Sequence, residues 1–277
     1  MGSGMHAPVR IGRVEVSVVC EGYAPLELAD EMPGAEVDWD AERARHPWAF
    51  VDDDSWPWHV HAFGLRTPRG LVLVDAGVSP FPPVRPWAEH TPLEQALRIA
   101  GVDPTDVRMV VHTHLHADHA GGSVVNGEPR YPNAVHVVHP ADWTRTVGRE
   151  HPNWARGAMQ RLFELGMVDV GAEDREVWAG VRVVHAPGHT PGHRSVVLED
   201  GEHSLLFTGD LLHTPIQIAR PEHPSNHDVD TDEACRSRVR LVEEARSGGW
   251  IVGVSHFARP FGRAREDGWA EEPSPNG

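Results

Sequence analysis

Residues 112–122 read His-Thr-His-Leu-His-Ala-Asp-His-Ala-Gly-Gly. Within them His114, His116, Asp118 and His119 form an H-x-H-x-D-H pattern. Imidazole nitrogens and carboxylate oxygens bind zinc at about 2 Å in roughly tetrahedral geometry. Alternating ligands after a strand can meet one ion if the loop curls. The neighbours Asp118 and His119 point apart, which suits a second ion or two sides of one site. Gly121 and Gly122 let the backbone pass close by. The bland alternative is a surface run of histidines. Four ligand residues behind the apolar run Val107–Val111 argue against it.

A complete site draws on later stretches. His189 sits in Pro187-Gly188-His189-Thr190-Pro191-Gly192-His193, after the apolar run Val181–His185. Asp210 follows Leu205–Phe207 in Thr208-Gly209-Asp210, and His256 follows Ile251–Val254 in Ser255-His256. Each is a polar residue at the C-terminal end of an apolar run, where open sheets place their sites.

The elements that must carry these residues follow from periodicity. Strands are expected at Ile11–Cys20, His59–Thr67, Leu71–Asp75, Val107–Val111, Ala134–His139, Val177–Val184, Ser195–Leu198, Leu205–Thr208 and Trp250–Val254. Thr91-Pro92-Leu93-Glu94 reads as a helix start with Thr91 as N-cap, and Gly101 ends that helix. Further helices are expected at Asn153–Leu165 and Asp232–Arg246. Helices lie between groups of strands in both halves, which predicts two β-rich halves packed together with helices outside. The tail from Ala264 is polar and expected to fray.

Composition narrows the function. The 277 residues carry 25 Lys+Arg against 41 Asp+Glu, a net charge of −16, and include 20 histidines. Such acidity argues against nucleic acid, whose phosphates call for a basic surface. The only cysteines, Cys20 and Cys235, exclude a disulfide scaffold and a four-cysteine zinc module. No apolar run approaches the ~20 residues of a membrane span, and the start lacks a signal pattern, so a cytoplasmic protein is expected. Met1–Gly4 reads as an appended leader ahead of Met5. Half the net charge lies between Glu27 and Asp54, where ten acidic residues face only Arg43 and Arg45. Residues 27–58 therefore read as a solvated loop anchored by aromatics, or as a lid whose tryptophans wall a pocket. Trp48, Trp56, Trp58, Trp154, Phe163 and Phe257 are candidate pocket aromatics.

Asp75-Ala76-Gly77, the 114–119 motif, Gly188-His189, Gly209-Asp210 and Ser255-His256 together resemble the metallo-β-lactamase fold superfamily. They occur in family order and span residues 75–256. The resemblance implies an α/β fold, an αββα sandwich of two mixed sheets packed face to face with helices outside. It implies one domain over residues 5–264, with 27–58 inserted and 265–277 as a frayed tail. It also implies two divalent ions, zinc first, with iron or manganese permitted by the N/O ligands. His114, His116 and His189 would hold one ion; Asp118, His119 and His256 the other; Asp210 would bridge them. Asp75 resembles the carboxylate that orients a ligand histidine. His193 is a further candidate for an orienting role.

Such a pair of ions activates a bridging hydroxide as nucleophile, with Asp118 or Asp210 carrying a proton to the leaving group. Asp210 argues against a true β-lactamase and for the dinuclear hydrolases. The segments around Asp210 and His256 are similar to the branch of quorum-signal lactonases and methyl-parathion-type hydrolases. Some lactonases place a tyrosine three residues after the bridging aspartate. Here the residue is His213, a candidate oxyanion donor, and the change puts acyl-homoserine lactones in question. The expected activity is opening of a lactone or cleavage of a carboxylic ester of a neutral or hydrophobic small molecule. Thioester or phosphotriester hydrolysis on the same site is an alternative, as is a non-hydrolytic iron enzyme on the same fold. The partner is a small molecule, with no nucleic acid or membrane, and a homodimer is left open.

Overall fold

Valine-rich runs with apolar residues at every second position build two twisted sheets in the computed structural model, which describes residues 6–32, 36–78, 86–148 and 155–271. In chain order the first half holds β1 (Val9–Ile11), β2 (Val14–Glu27), β3 (Ser55–Thr67), β4 (Gly70–Val74), β5 (Glu89–His90) and β6 (Val107–Val111). The short pair β7 (Val124–Val125) and β8 (Glu128–Pro129) follows, then β9 (Val135–Val138) and β10 (Val168–Val170). The second half holds β11 (Arg175–Trp178), β12 (Val181–His185), β13 (Arg194–Asp200), β14 (His203–Phe207), β15 (Ile251–Gly253), β16 (Phe261–Arg265) and β17 (Gly268–Glu271). Sheet one runs β1-β2-β3-β4-β6-β9-β10, with β5 beside β2; sheet two runs β11 to β17 in sequence order. Both are mixed: β4, β6, β9 and β10 are parallel neighbours, as are β14 and β15.

The helices are α1 (Leu28–Glu31), α2 (Trp39–Arg45), α3 (Leu93–Ile99), α4 (Ala117–Ala120), α5 (Pro140–Val147), α6 (Ala155–Glu164), α7 (Ile216–Ala219) and α8 (Thr231–Ser247). Period-two alternation decides which side chains face inward. Val16, Val18, Phe63, Leu65, Val72 and Val74 of sheet one meet Val183, Val196, Leu198 and Phe207 of sheet two in one core. The opposite faces are covered by helices. Leu93, Ala96 and Leu97 of α3 pack on Val19, Leu73 and Val110. Leu241, Val242 and Ala245 of α8 pack on Val197, Leu206 and Val252. The expected sandwich of two mixed sheets with helices outside is the architecture found.

Several boundaries differ from expectation. β2 runs seven residues past Cys20, because it pairs with β3 through Glu27↔Ser55. The run 177–184 is two strands, separated by a turn at Gly180, whose φ is 76°. Thr91 is not a cap: the N-cap of α3 is Pro92, which has no side chain to donate or accept. The tail does not fray at 265. Residues 268–271 form β17, whose Trp269 packs in the outer cluster of sheet two. Residues 272–277, His151 and Trp154 lie outside the described residues. Among the described residues, no helix is long and apolar enough to cross a membrane.

Candidate metal centre

Four parallel-strand ends deliver the polar residues to one edge of the sandwich. β4 ends in Asp75, β6 runs into the 112–119 loop, β14 into Gly209-Asp210 and β15 into Ser255-His256. The antiparallel β12 leads to His189. Gly209 is required where it stands. Its φ is 56°, and an added Cβ would lie 2.7 Å from His193 Nε2 and 2.8 Å from Thr113 Cβ.

Two groups of donor atoms form there. In the first, His114 Nε2 lies 2.9 Å and His189 Nε2 3.0 Å from His116 Nδ1. Asp210 Oδ2 is 3.3 Å from His189 Nε2 and 3.7 Å from His114 Nε2. In the second, Asp210 Oδ1 lies 2.9 Å from both His119 Nε2 and His256 Nε2. Asp118 Oδ2 is 3.2 Å from His119 Nε2 and 3.8 Å from His256 Nε2. Ligands about 2 Å from a tetrahedral ion sit about 3.4 Å apart, and both groups match that spacing. Asp210 turns one oxygen to each.

The outer atoms of these rings are held. His119 Nδ1–H donates to Asp75 Oδ2 at 2.8 Å, and Asp75 also accepts from the Thr113 backbone N–H at 2.8 Å. In the neutral ring His119 Nε2 would present a lone pair to two carboxylate oxygens, so the position calls for positive charge, either a bound cation or, without one, a proton on that nitrogen. Among the described residues, this nitrogen is buried without a hydrogen-bond partner. His256 Nδ1–H donates to the His59 carbonyl at 2.6 Å. The donor set therefore fits two divalent ions.

Charge follows the same geometry. Burial holds His114 and His189 well below their ordinary pKa, so both rings are neutral, as ligands must be. Burial also disfavours charge on His119, yet Asp210, Asp118 and Asp75 outweigh it and raise that ring well above the ordinary value. Burial opposes ionisation of Asp210, but His119, His256, His114 and His189 pull its pKa well down.

All seven expected ligands and Asp75 thus converge at one edge. His213 joins them: its Nε2 is 3.4 Å from Asp210 Oδ2. Burial works against a charge on His213, but Glu31 and Asp210 prevail and raise it to about 9. His193 sits beneath the bridge, donating from Nδ1 to the Ala186 carbonyl and accepting the Asp210 backbone N–H at Nε2, 3.1 Å away.

Other participants gave no sequence signal. Glu31, one of ten acidic residues in its stretch, is buried with its carboxylate 3.5 Å from His213 Nδ1. Asp228 lies 3.5 Å from His189 Nδ1 and pairs with the buried Arg238 at 3.0 Å. Asp142 accepts from Thr190 Oγ1 and the Gly192 N–H, each at 2.8 Å, and so ties down the loop that carries His189. Of the described candidate aromatics, Trp58 stacks on the ligand ring of His256, 4.9 Å between centroids. Trp56 is in the core, Phe257 and Trp48 pack in the outer cluster of sheet two, and Phe163 is exposed beside Trp143.

A family model for the metallo-beta-lactamase superfamily matches residues 56–246. The chain belongs to the metallo-beta-lactamase superfamily. Within this superfamily it is similar to an N-acyl homoserine lactonase of Bacillus thuringiensis, 27% identical over 214 residues, covering 71% of this chain and 80% of the relative. An N-acyl homoserine lactonase of Bacillus sp is 29% identical over 213 residues, with the same coverage of both chains. Among solved structures, hydrolase AbOPH of the beta lactamase superfamily superposes with a TM-score of 0.82 at 20% identity, covering 99% of this chain and 98% of its own. AidC, a dizinc quorum-quenching lactonase with bound product, superposes with a TM-score of 0.77 at 20% identity and 96% coverage of both chains. These structural likenesses are likenesses of fold.

Proposed function

We propose that the chain is a dinuclear zinc hydrolase that opens lactones carrying a hydrophobic group, with N-acyl homoserine lactones as the first class to try. The observation that carries this reading is the split carboxylate of Asp210, one oxygen in each donor group. The lactonase names of the curated relatives support the substrate class. AidC, similar in fold, is a dizinc lactonase, which favours zinc over iron or manganese.

In this reading His114, His116 and His189 hold one ion, Asp118, His119 and His256 hold the other, and Asp210 joins them. Ions bound there would supply Lewis acidity and bring a shared water to a pKa near neutrality. Asp75 keeps His119 in the tautomer that ligates from Nε2. Asp118 is the more open carboxylate, its side chain 14% exposed against 6% for Asp210. With Oδ2 turned to the second donor group, its other oxygen, Oδ1, takes up the proton released on attack and hands it to the ring oxygen as the C–O bond breaks. His213 donates a hydrogen bond to the carbonyl oxygen as negative charge grows there. Histidine supplies the N–H that tyrosine would supply as O–H, so the substitution preserves the donor and acyl-homoserine lactones stay in range. Trp58 gives an apolar wall beside His256, suited to an acyl chain. The connection between β2 and β3 serves as a lid anchored by Glu31 beneath His213, whereas Glu27 and residues 55–58 of the expected 27–58 insertion belong to those two strands.

Elemental analysis of protein purified without added metal tests the centre: two zinc ions per chain are expected. Lactone opening disappears on chelation and returns with zinc. Rates unchanged in His116→Ala, or bound iron with a visible absorption band, would sink the reading.

A further inference from the structure

A second cluster of ligand residues lies behind the centre, on β2, β3 and the segment before β1. Donor atoms of His6, Cys20 and His61 lie within 4.8 Å of one another. Cys20 and His61 are buried and His6 is half-buried. None of the three belongs to the centre described above. Their rings form one group: His6 meets His61 edge-on at 5.1 Å, and His59 stacks on His61 at 5.1 Å.

The tautomer of His61 is decided by its neighbour. Its Nε2 lies 2.9 Å from the Phe257 carbonyl, which can only accept, so Nε2 carries the hydrogen. In the neutral ring Nδ1 then carries a lone pair. That nitrogen is buried with no hydrogen-bond partner among the described residues, and its residue is 1% exposed. An unpaired buried acceptor is costly. Cys20 Sγ has a weak contact with His59 Nδ1, 4.0 Å away. A thiol and two imidazoles in one buried cluster suit a thiophilic ion, whereas every ligand of the main centre is nitrogen or oxygen.

We propose that His6, Cys20 and His61 form a third metal site, selective for a thiophilic transition-metal cation of the zinc class. Loading forms a metal–sulfur bond, breaks the Cys20 S–H bond and releases that proton to solvent. Donors bonded at about 2.0–2.3 Å sit closer together than 4.8 Å. The cluster contracts on loading, with the half-buried His6 making the larger movement. The site abuts the main centre through the backbone, since the His59 carbonyl accepts from the ligand His256.

Cobalt(II) titration of the chelator-stripped full chain tests this. A cobalt–thiolate charge-transfer band in the near ultraviolet can arise only at Cys20 or Cys235, so it is independent of the main centre, and the two serine variants assign it. A third equivalent bringing that band is expected. Cys20→Ser should lose the band and the third equivalent, whereas Cys235→Ser should keep both. His6→Ala, at a half-buried residue outside the sheets, should weaken the third equivalent beyond the roughly 10–100-fold that loss of an outer partner costs. Saturation without the band, a band that survives Cys20→Ser, or unchanged third-site affinity in His6→Ala would each overturn the proposal. None of these readouts depends on lactone hydrolysis.

Discussion

The two donor groups that share Asp210 are built differently. One consists of His114, His116 and His189, three imidazoles; the other of Asp118, His119 and His256, which include a carboxylate. Two residues of each come from the same short loop, and the third arrives from the second sheet. The first group is neutral by burial, and its outer contacts are mixed: Thr113 Oγ1 against His114 Nδ1 at 3.1 Å, Asp228 near His189. The second carries a charge of its own and has Asp75 hydrogen-bonded behind His119. The same edge of the sandwich thus makes one group of low charge and one of high charge, and an ion beside Asp118 is expected to be held more tightly than one among the three imidazoles.

The largest effect should come from removing what the groups share. Asp210→Ala should cost both ions and lower lactonase kcat/KM about 1,000-fold, equivalent to about 4 kcal/mol of barrier. Retention of two ions would break the bridging assignment. Next come the single ligands. His116→Ala and His256→Ala should each cost more than ~100-fold in activity, beyond the loss typical of an outer partner. Metal analysis should show each variant keeping the ion of the other group. Loss of both ions in either variant would mean that the groups are not separable.

Asp75→Ala should weaken the second group by about 10–100-fold in metal affinity. Stepwise chelation should then release that ion first, the reverse of the wild-type order. An unchanged order would remove Asp75 from its positioning role.

The smallest effect concerns the pair beside the bridge in the metal-free protein. Burial resists ionisation of Glu31, but His213, His227 and Ser225 hold its pKa down at about 2. The His213 pKa is raised from 6.5 to about 9, so its stabilising contribution is full below pH 6.5 and is lost as pH rises towards 9. That of Glu31, lowered from 4.5, is present above pH 4.5 and lost as pH falls towards 2. The Tm of chelated protein should fall between pH 6.5 and 9, and Glu31→Gln should flatten that limb. A limb unchanged by the substitution would separate Glu31 from His213.

Much of the centre was legible because ligand chemistry is local. H-x-H-x-D-H behind Val107–Val111 needs no partner to be recognised, and His189, Asp210 and His256 each follow an apolar run. α8 was legible too from its apolar stripe, although the expected start at Asp232 missed the cap Asp230, which accepts the Glu233 N–H. The aromatics were read less well. Trp56 and Phe163 have the same residue chemistry as Trp58, but β3 and α6 turn one into the core and the other to solvent. The end of the chain was misread for a similar reason: a polar run such as 261–271 becomes a hairpin only because sheet two offers it an edge.

Sequence by itself determined which residues can bind metal, that each of them follows an apolar run and that the chain is acidic. These depend on side-chain chemistry and on a period of two, both written within a few residues. Tertiary structure alone decided that Asp210 faces two groups, that Glu31 leaves an acidic stretch to meet His213, and that Cys20 and His61 share a pocket with His6. Those pairings join residues 14 to 182 positions apart. Cys20 meets His61 because β2 and β3 are neighbours in sheet one, and the other pairings exist because two sheets, packed face to face, bring distant strands and loops together.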